Sequence, residues 1–301
     1  MLGTKKMATI SKLMIFVSTI IWGSSFFILK NTLDELPVCF ILCIRFLSSA
    51  LLFSVIFFKR WKNFSRKYIW TGGITGLFLG LAYITQTVGL KYTTPGISAF
   101  LTTVYCVLVP FMCWKFKHKA PDKFNVIAAL LCFAGIGLIS LGDSGIEFSF
   151  MGEGLTLICG VFFAAHMVAI SVWGDGLDIV LFTVVQFCAA FLVCLVGFLA
   201  CEEMPSAVSD YAYFSLFYVS VFATAIAFLF MNCGVKYASA TSTALISSLE
   251  SVFGVLFSLL FYPDEIMTVK IALGFAAIFI GIIINETKLS FLNINKDLKI
   301  S

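Results

Sequence analysis

Charge is what this chain has least of. Only 12% of its 301 residues are Asp, Glu, Lys or Arg, about half the share of an ordinary soluble domain. Hydrophobic residues make up 60% and the mean hydropathy is +1.04. Water cannot solvate such a surface, so most of it must face lipid. A soluble enzyme is thereby excluded. The ten cysteines include no Cys-x-x-Cys pair, and no His/Cys cluster has zinc-ligand spacing, which argues against a structural metal or a redox centre. They read as small apolar residues inside apolar runs. No GxxxxGK[ST] loop occurs, which argues against direct drive by ATP. No cofactor and no metal are expected. The cations do not gather on one globular face, so no nucleic-acid partner is expected either.

What is there is a series of apolar runs. A spanning helix needs about 20 apolar residues. Ten candidates stand at roughly 9–30, 37–58, 69–90, 95–115, 123–141, 151–172, 178–200, 211–234, 240–262 and 268–285. The first follows Lys5 and Lys6 and could mimic a signal peptide. It is long, however, and no small-x-small cleavage site follows it, so it reads as a retained helix. Ten helices sort the loops onto two sides. One side takes every Lys and Arg except Lys30, Arg45, Lys91 and Lys270. The other takes Asp34, Glu35, Asp143, Glu147, Glu153, Glu202, Glu203, Asp210, Asp264 and Glu265. The positive-inside rule places the first side, with both termini, in the cytoplasm. The expected location is the inner (cytoplasmic) membrane.

The chain also repeats itself. Gly89-Leu90-Lys91-Tyr92 recurs as Gly234-Val235-Lys236-Tyr237. The small and hydroxyl residues of 93–103 match those of 238–248, and Arg45-Phe46 matches Gln186-Phe187. The expected fold class is therefore all-α integral membrane, with ten transmembrane helices as two inverted five-helix repeats. The repeats are 1–145 and 146–301, within one membrane domain. Five is odd, so the second copy enters from the opposite side. The charges agree, since the Lys-rich stretch at 115–123 corresponds to the acidic stretch at Asp264-Glu265. Inverted repeats suit alternating access, because exchanging the conformations of the halves exchanges the open side.

Several motifs resemble those of one family. They are Trp22-Gly23-Ser24-Ser25-Phe26, Arg45-Phe46, Tyr92 with its small-residue run, and Glu250-Ser251-Val252-Phe253 followed by Asp264-Glu265. Together they resemble EamA-type proteins of the drug/metabolite transporter superfamily over about residues 9–286. Ser251 stands where that pattern has Pro, and Lys119-Ala120-Pro121 replaces its first "GE". The resemblance implies a ten-helix inverted-repeat fold and transport of small metabolites, often export. It does not fix the substrate.

Ionisable and polar groups inside hydrocarbon are costly and tend to face a cavity. Glu250 is the one acid deep in an apolar run, and Arg45 the one deep cation. Glu250 could carry a coupling proton, bind a substrate ammonium, or serve structure alone. Arg45 could hold a carboxylate, anchor carbonyls, or pair with Glu250. Tyr83 and Gln86 share a helix face at i and i+3. Gln186 takes the repeat position of Arg45, and Tyr105 that of Glu250. His166 could shuttle protons or simply hold a neighbour. Trp22 and Ser25 could wall a cavity or pack helices. Gly72, Gly76 and Gly80 read as a close-packing face. Asp175 and Asp178 form a DxxD that a metal-dependent lipid enzyme would want, although a plain loop explains them as well. The expected substrate-binding set is Trp22, Ser25, Arg45, Tyr83, Gln86, Tyr105, His166 and Gln186, with Glu250 for coupling. The expected function is secondary transport of a small polar metabolite, an amino acid or derivative, by export. The expected partners are that solute and the bilayer, with proton coupling open and a monomer plausible. A non-transporting membrane sensor or assembly protein and a membrane-embedded lipid enzyme are the alternatives.

Overall fold

A computed structural model of the chain describes residues 2–118, 120–140, 149–174, 176–231 and 240–288. Among them every regular element is helical. The helices are α1 (Leu2–Thr32), α2 (Val38–Ile56), α3 (Arg66–Lys91), α4 (Pro95–Thr102), α5 (Tyr105–Lys117), α6 (Lys123–Ser140), α7 (Leu155–Trp173), α8 (Ile179–Cys201), α9 (Asp210–Phe217), α10 (Ala240–Phe261) and α11 (Val269–Thr287). A short 3₁₀ helix, Phe58–Asn63, follows α2, and a π-helical turn, Phe150–Gly154, leads into α7. Among the described residues, eight segments are long and apolar enough to cross a membrane: Thr9–Thr32, Val38–Ile56, Arg66–Lys91, Pro95–Phe116, Phe150–Trp173, Ile179–Cys201, Asp210–Met231 and Val269–Thr287. Lys123–Ile139 and Ile246–Phe261 are shorter apolar helices. Lys119, Asp143, Glu147, Asp175, the repeat Gly234 to Tyr237, Lys296 and Lys299 lie outside the described residues.

Polar residues at the joints start and stop these helices. Thr94, Ser149, Asp178, Ser209 and Thr268 each accept a hydrogen bond from an amide of the turn that follows. Such caps satisfy donors that a helix start leaves orphaned. His118 and Lys288 end α5 and α11 in the left-handed region, at φ 51° and 49°. Outward faces are apolar, with Val55, Phe133, Leu199 and Val269 exposed. In a bilayer that exposure is contact with acyl chains.

The fourth apolar run departs from the single helix expected over 95–115. It breaks into α4 and α5 at Thr103 and Val104, whose amides turn back to Phe100 and Leu101. Pro110 inside α5 also cannot donate to the carbonyl four residues back, that of Cys106. Asn285 Nδ2 takes that acceptor instead, at 3.1 Å. Asn125 Nδ2 in turn donates to Asn285 Oδ1 at 2.8 Å. One polar chain thus ties α5, α11 and α6.

The helices pack in defined pairs: α6 with α11, α1 with α10, α3 with α7 and α8, α2 with α8, α4 with α10, and α5 with α7. Small residues allow the closest approaches. A Cβ on Gly76 would lie 2.5 Å from both Ala189 Cβ and the Gln186 carbonyl, and one on Gly23 would lie 2.6 Å from Phe253 Cβ. Between helices in lipid, such van der Waals contact replaces the hydrophobic effect as the main attraction. Loop contacts fall into two sets. Arg60 and Tyr68 meet Asp178, and Asp122 meets Lys288. At the opposite end Glu35 meets Ser209, Glu202 meets Cys39 and Phe40, Glu153 meets Thr93, and Glu265 meets Thr94 and Gly96. The first set is the basic end of the bundle and the second the acidic end.

Candidate functional site

A cavity of about 600 Å³ lies among the helices. Each wall helix presents one stripe at helical spacing. From α1 come Trp22, Ser25, Phe26 and Leu29, and from α3 Leu79, Tyr83, Gln86, Thr87 and Leu90. From α7 come Phe163, His166, Met167 and Ile170, and from α8 Ile179, Phe182, Thr183 and Gln186. Arg45, Thr102, Tyr105 and Glu250 join the wall from α2, α4, α5 and α10, and Phe228 and Met231 add to it. All nine residues singled out in the sequence therefore line one space. The cavity runs to the basic end, where Arg60, Leu177 and Asp178 form its rim.

Arg45 is buried, and its hydrogen bonds are built by an irregular helix. After Phe217, α9 continues as a π-helical stretch, Tyr218–Ile226, and then to Met231. Such bulges shift the backbone register and often sit at functional sites. Here the Thr224 hydroxyl donates to the Val219 carbonyl at 2.7 Å. It also accepts from Arg45 Nε at 2.5 Å. The Ala223 carbonyl accepts from Trp22 Nε1 at 2.8 Å and from an Arg45 terminal nitrogen at 3.3 Å. The same nitrogen donates to the Tyr83 hydroxyl at 3.2 Å, and the guanidinium carbon lies 4.3 Å from the centroid of that ring. Tyr83 packs edge-on against Phe46 and Phe163. Arg45 is thus an anchor joining α2, α3 and α9, and its other terminal nitrogen has no protein acceptor among the described residues. No ion pair joins Arg45 to Glu250 among those residues. The two opposite charges line one cavity separately.

The remaining polar wall is partly satisfied. Gln86 Nε2 donates to the Thr102 hydroxyl at 3.1 Å, and His166 Nε2 lies 3.3 Å from Gln186 Oε1. With Gln186 Oε1 as acceptor, His166 Nε2 carries the proton and Nδ1 is a bare acceptor. His166 Nδ1 and Thr87 Oγ1 are buried without a hydrogen-bond partner among the described residues. Leaving such an atom unmatched costs about 1–3 kcal/mol. Ser25 is less available, because its hydroxyl donates to the Trp22 carbonyl at 2.7 Å. Asp178 caps α8 and pairs with Arg60.

Sequence reasoning missed Thr87, Thr102, Phe163 and the acceptors Ala223 and Thr224. The two threonines on α3 and α4 were legible as hydroxyls inside apolar runs. The carbonyl of Ala223 carried no signal at all, since its availability depends on the π-helical register.

Among the described residues, eight helical segments long and apolar enough to cross a membrane, with a largely apolar cavity carrying a few polar groups between them, define a multi-pass membrane protein. Comparison with known proteins makes the class specific. The family model described as "EamA-like transporter family" matches residues 9–141 and again 150–287. The chain belongs to this family, within the drug/metabolite transporter superfamily, and carries two copies of its unit. An uncharacterized transporter of Archaeoglobus fulgidus is 31% identical over 265 residues, covering 88% of this chain and 82% of its own. The uncharacterized transporter YvbV of Bacillus subtilis is 25% identical over 284 residues, covering 93% and 92%. A solved crystal structure superposes with a TM-score of 0.62 at 18% identity, over 93% of this chain and 96% of its own, a likeness of fold.

Proposed function

We propose that the chain is a secondary transporter that exports a small polar metabolite, an amino acid or a derivative of one, across the inner membrane by alternating access. The observation that carries this reading is the cavity itself. It brings Arg45 and Glu250 into one space without pairing them. A zwitterion presents one charge of each sign and suits such a wall. Glu250 is the group we assign to proton coupling. Trp22, Ser25, Tyr83, Gln86, Tyr105 and Gln186 complete the binding set.

The architecture we assign is ten transmembrane helices in two inverted five-helix repeats, 1–145 and 146–301. The helix pairings support it. Exchanging the two copies turns the α1–α10 pair into the α7–α5 pair, and leaves α2–α8, α6–α11 and α4–α10 paired as before. The sorting of loop contacts into a basic and an acidic end supports the same count. By the positive-inside rule the basic end, with both termini, is cytoplasmic.

Counterflow in proteoliposomes with radiolabelled amino acids tests the function. We expect substrate-specific exchange by the wild type. In Glu250→Gln we expect exchange to survive while accumulation driven by a pH gradient is lost. No exchange with any amino acid, from folded protein, would overturn the assignment.

A further inference from the structure

The two ends of the bundle are fastened differently. At the acidic end four carboxylates each reach from one family copy to the other. Glu202, just past α8, accepts from the amides of Cys39 at 2.9 Å and Phe40 at 3.0 Å. These amides open α2, whose N-cap Pro37 supplies no side-chain bond. Glu265, between α10 and α11, accepts from the Thr94 hydroxyl at 2.8 Å and the Gly96 amide at 3.0 Å, at the start of α4. The fit is close, since a Cβ on Gly96 would lie 2.8 Å from Glu265 Oε1. Glu153 accepts from the Thr93 hydroxyl at 2.5 Å, and Glu35 from the Ser209 hydroxyl at 2.6 Å.

At the basic end the acid that caps a helix belongs to the same copy as that helix. Asp178 accepts from the amides of Val180 at 3.0 Å and Leu181 at 3.3 Å, at the start of its own α8. Its links to the first copy are Arg60, at 2.6 Å between side chains 45% and 21% exposed, and the Tyr68 hydroxyl. An exposed pair of this kind holds weakly. The position of the first copy that matches Glu265 is Ala120, which has no carboxylate. The cavity reaches the rim formed by Arg60 and Asp178, and none of the four acidic-end carboxylates lines it.

We propose that Glu202 and Glu265 are positioning residues of the transport cycle. By clamping the N-termini of α2 and α4 from the opposite copy they hold the acidic mouth shut, and both clamps must release for the cavity to open there. The proposal rests on the alternating-access reading above. Physically, a carboxylate on helix-start amides makes charge-assisted hydrogen bonds and meets the positive end of the helix dipole. Making the carboxylate neutral weakens one conformation only, so the population moves toward the other.

Hydrogen–deuterium exchange of the purified full chain in lipid nanodiscs tests this without a substrate. In the Glu202→Gln/Glu265→Gln double variant, amides of 39–41 and 96–98 should exchange about tenfold faster. Amides of 179–183 should exchange more slowly, because the basic mouth closes as the acidic one opens. Faster exchange at the acidic end with the basic end unchanged would overturn the proposal, as a local cap only. Faster exchange at both ends, or no change at either, would overturn it as well. If the double variant does not fold, the single variants and Thr94→Val are read by the same criteria. A silent counterflow assay with a shifted exchange pattern would count against the transport reading and not against the clamps.

Discussion

Arg45 shows how a buried charge is held with no ion-pair partner among the described residues. Its Nε rests on Thr224, one terminal nitrogen on Ala223 and Tyr83, and its plane faces the Tyr83 ring. A hydrogen bond to a charged group contributes about 1.5–3 kcal/mol. Thr224→Val should therefore lower stability by about that amount, read as a reduced melting temperature in detergent, whereas Thr224→Ser should stay near wild type. Asp122 makes a second case, outside the membrane-spanning segments. Its bond to Lys288, aided by the amides of Asn125 and Phe124, holds its carboxyl below the usual carboxylate range. A depressed folded-state value means that this stabilisation is complete above the unfolded value of about 4 and is lost as pH falls through the folded one. The site is largely exposed, so the effect is small. Melting curves of wild type and Asp122→Asn should differ at pH 7, and the difference should shrink as the pH falls below about 4.

Among the elements, α3 and α8 pack closely, and small residues decide it. The Gly72, Gly76 and Gly80 row was legible from spacing alone as a packing face, and α8 is what it packs on. Gly76→Val would force Cβ into Ala189 and the Gln186 backbone, which rigid packing tolerates at a cost of about 1–3 kcal/mol. Gln186 lines the cavity from α8, so the substitution should also lower counterflow while leaving membrane insertion intact. Irregular elements were less legible. Pro110 was visible, but the break before Tyr105 depends on α4 turning at Thr103 and on Asn285 reaching the freed Cys106 carbonyl. The π-helical stretch Tyr218–Ile226 has no compositional mark. Its Ala223 carbonyl accepts from Trp22 and Arg45, which lie far away in sequence.

For the whole molecule, the charge distribution argues for both termini on the basic side. A fluorescent-protein fusion at the C-terminus should fluoresce in a bacterial host, and an alkaline phosphatase fusion at the same point should be inactive. The reverse pattern would invert the assigned orientation and with it the direction of export. With the basic end cytoplasmic, as we propose, the cavity of this structure opens toward the cytoplasm.

Composition and periodicity by themselves determined that this chain lives in lipid, that its loops fall on two sides, and that one unit occurs twice. These properties follow from local physics, since apolar runs must be helical in hydrocarbon and cations stay on one side of it. The same physics picked out Arg45, Glu250, Gln86 and His166, because a polar side chain inside an apolar run must find a protected place, while the repeat pointed to Tyr105 and Gln186 and the family resemblance to Trp22. What only the tertiary structure decided is how each one is used. Arg45 and Glu250 line one cavity without pairing, Ser25 is bound to its own helix, and Glu202 and Glu265, which read as mere loop charge, grip the helices of the other copy. Hydrogen-bond partners are chosen by which helix ends meet in space, and no local pattern encodes that.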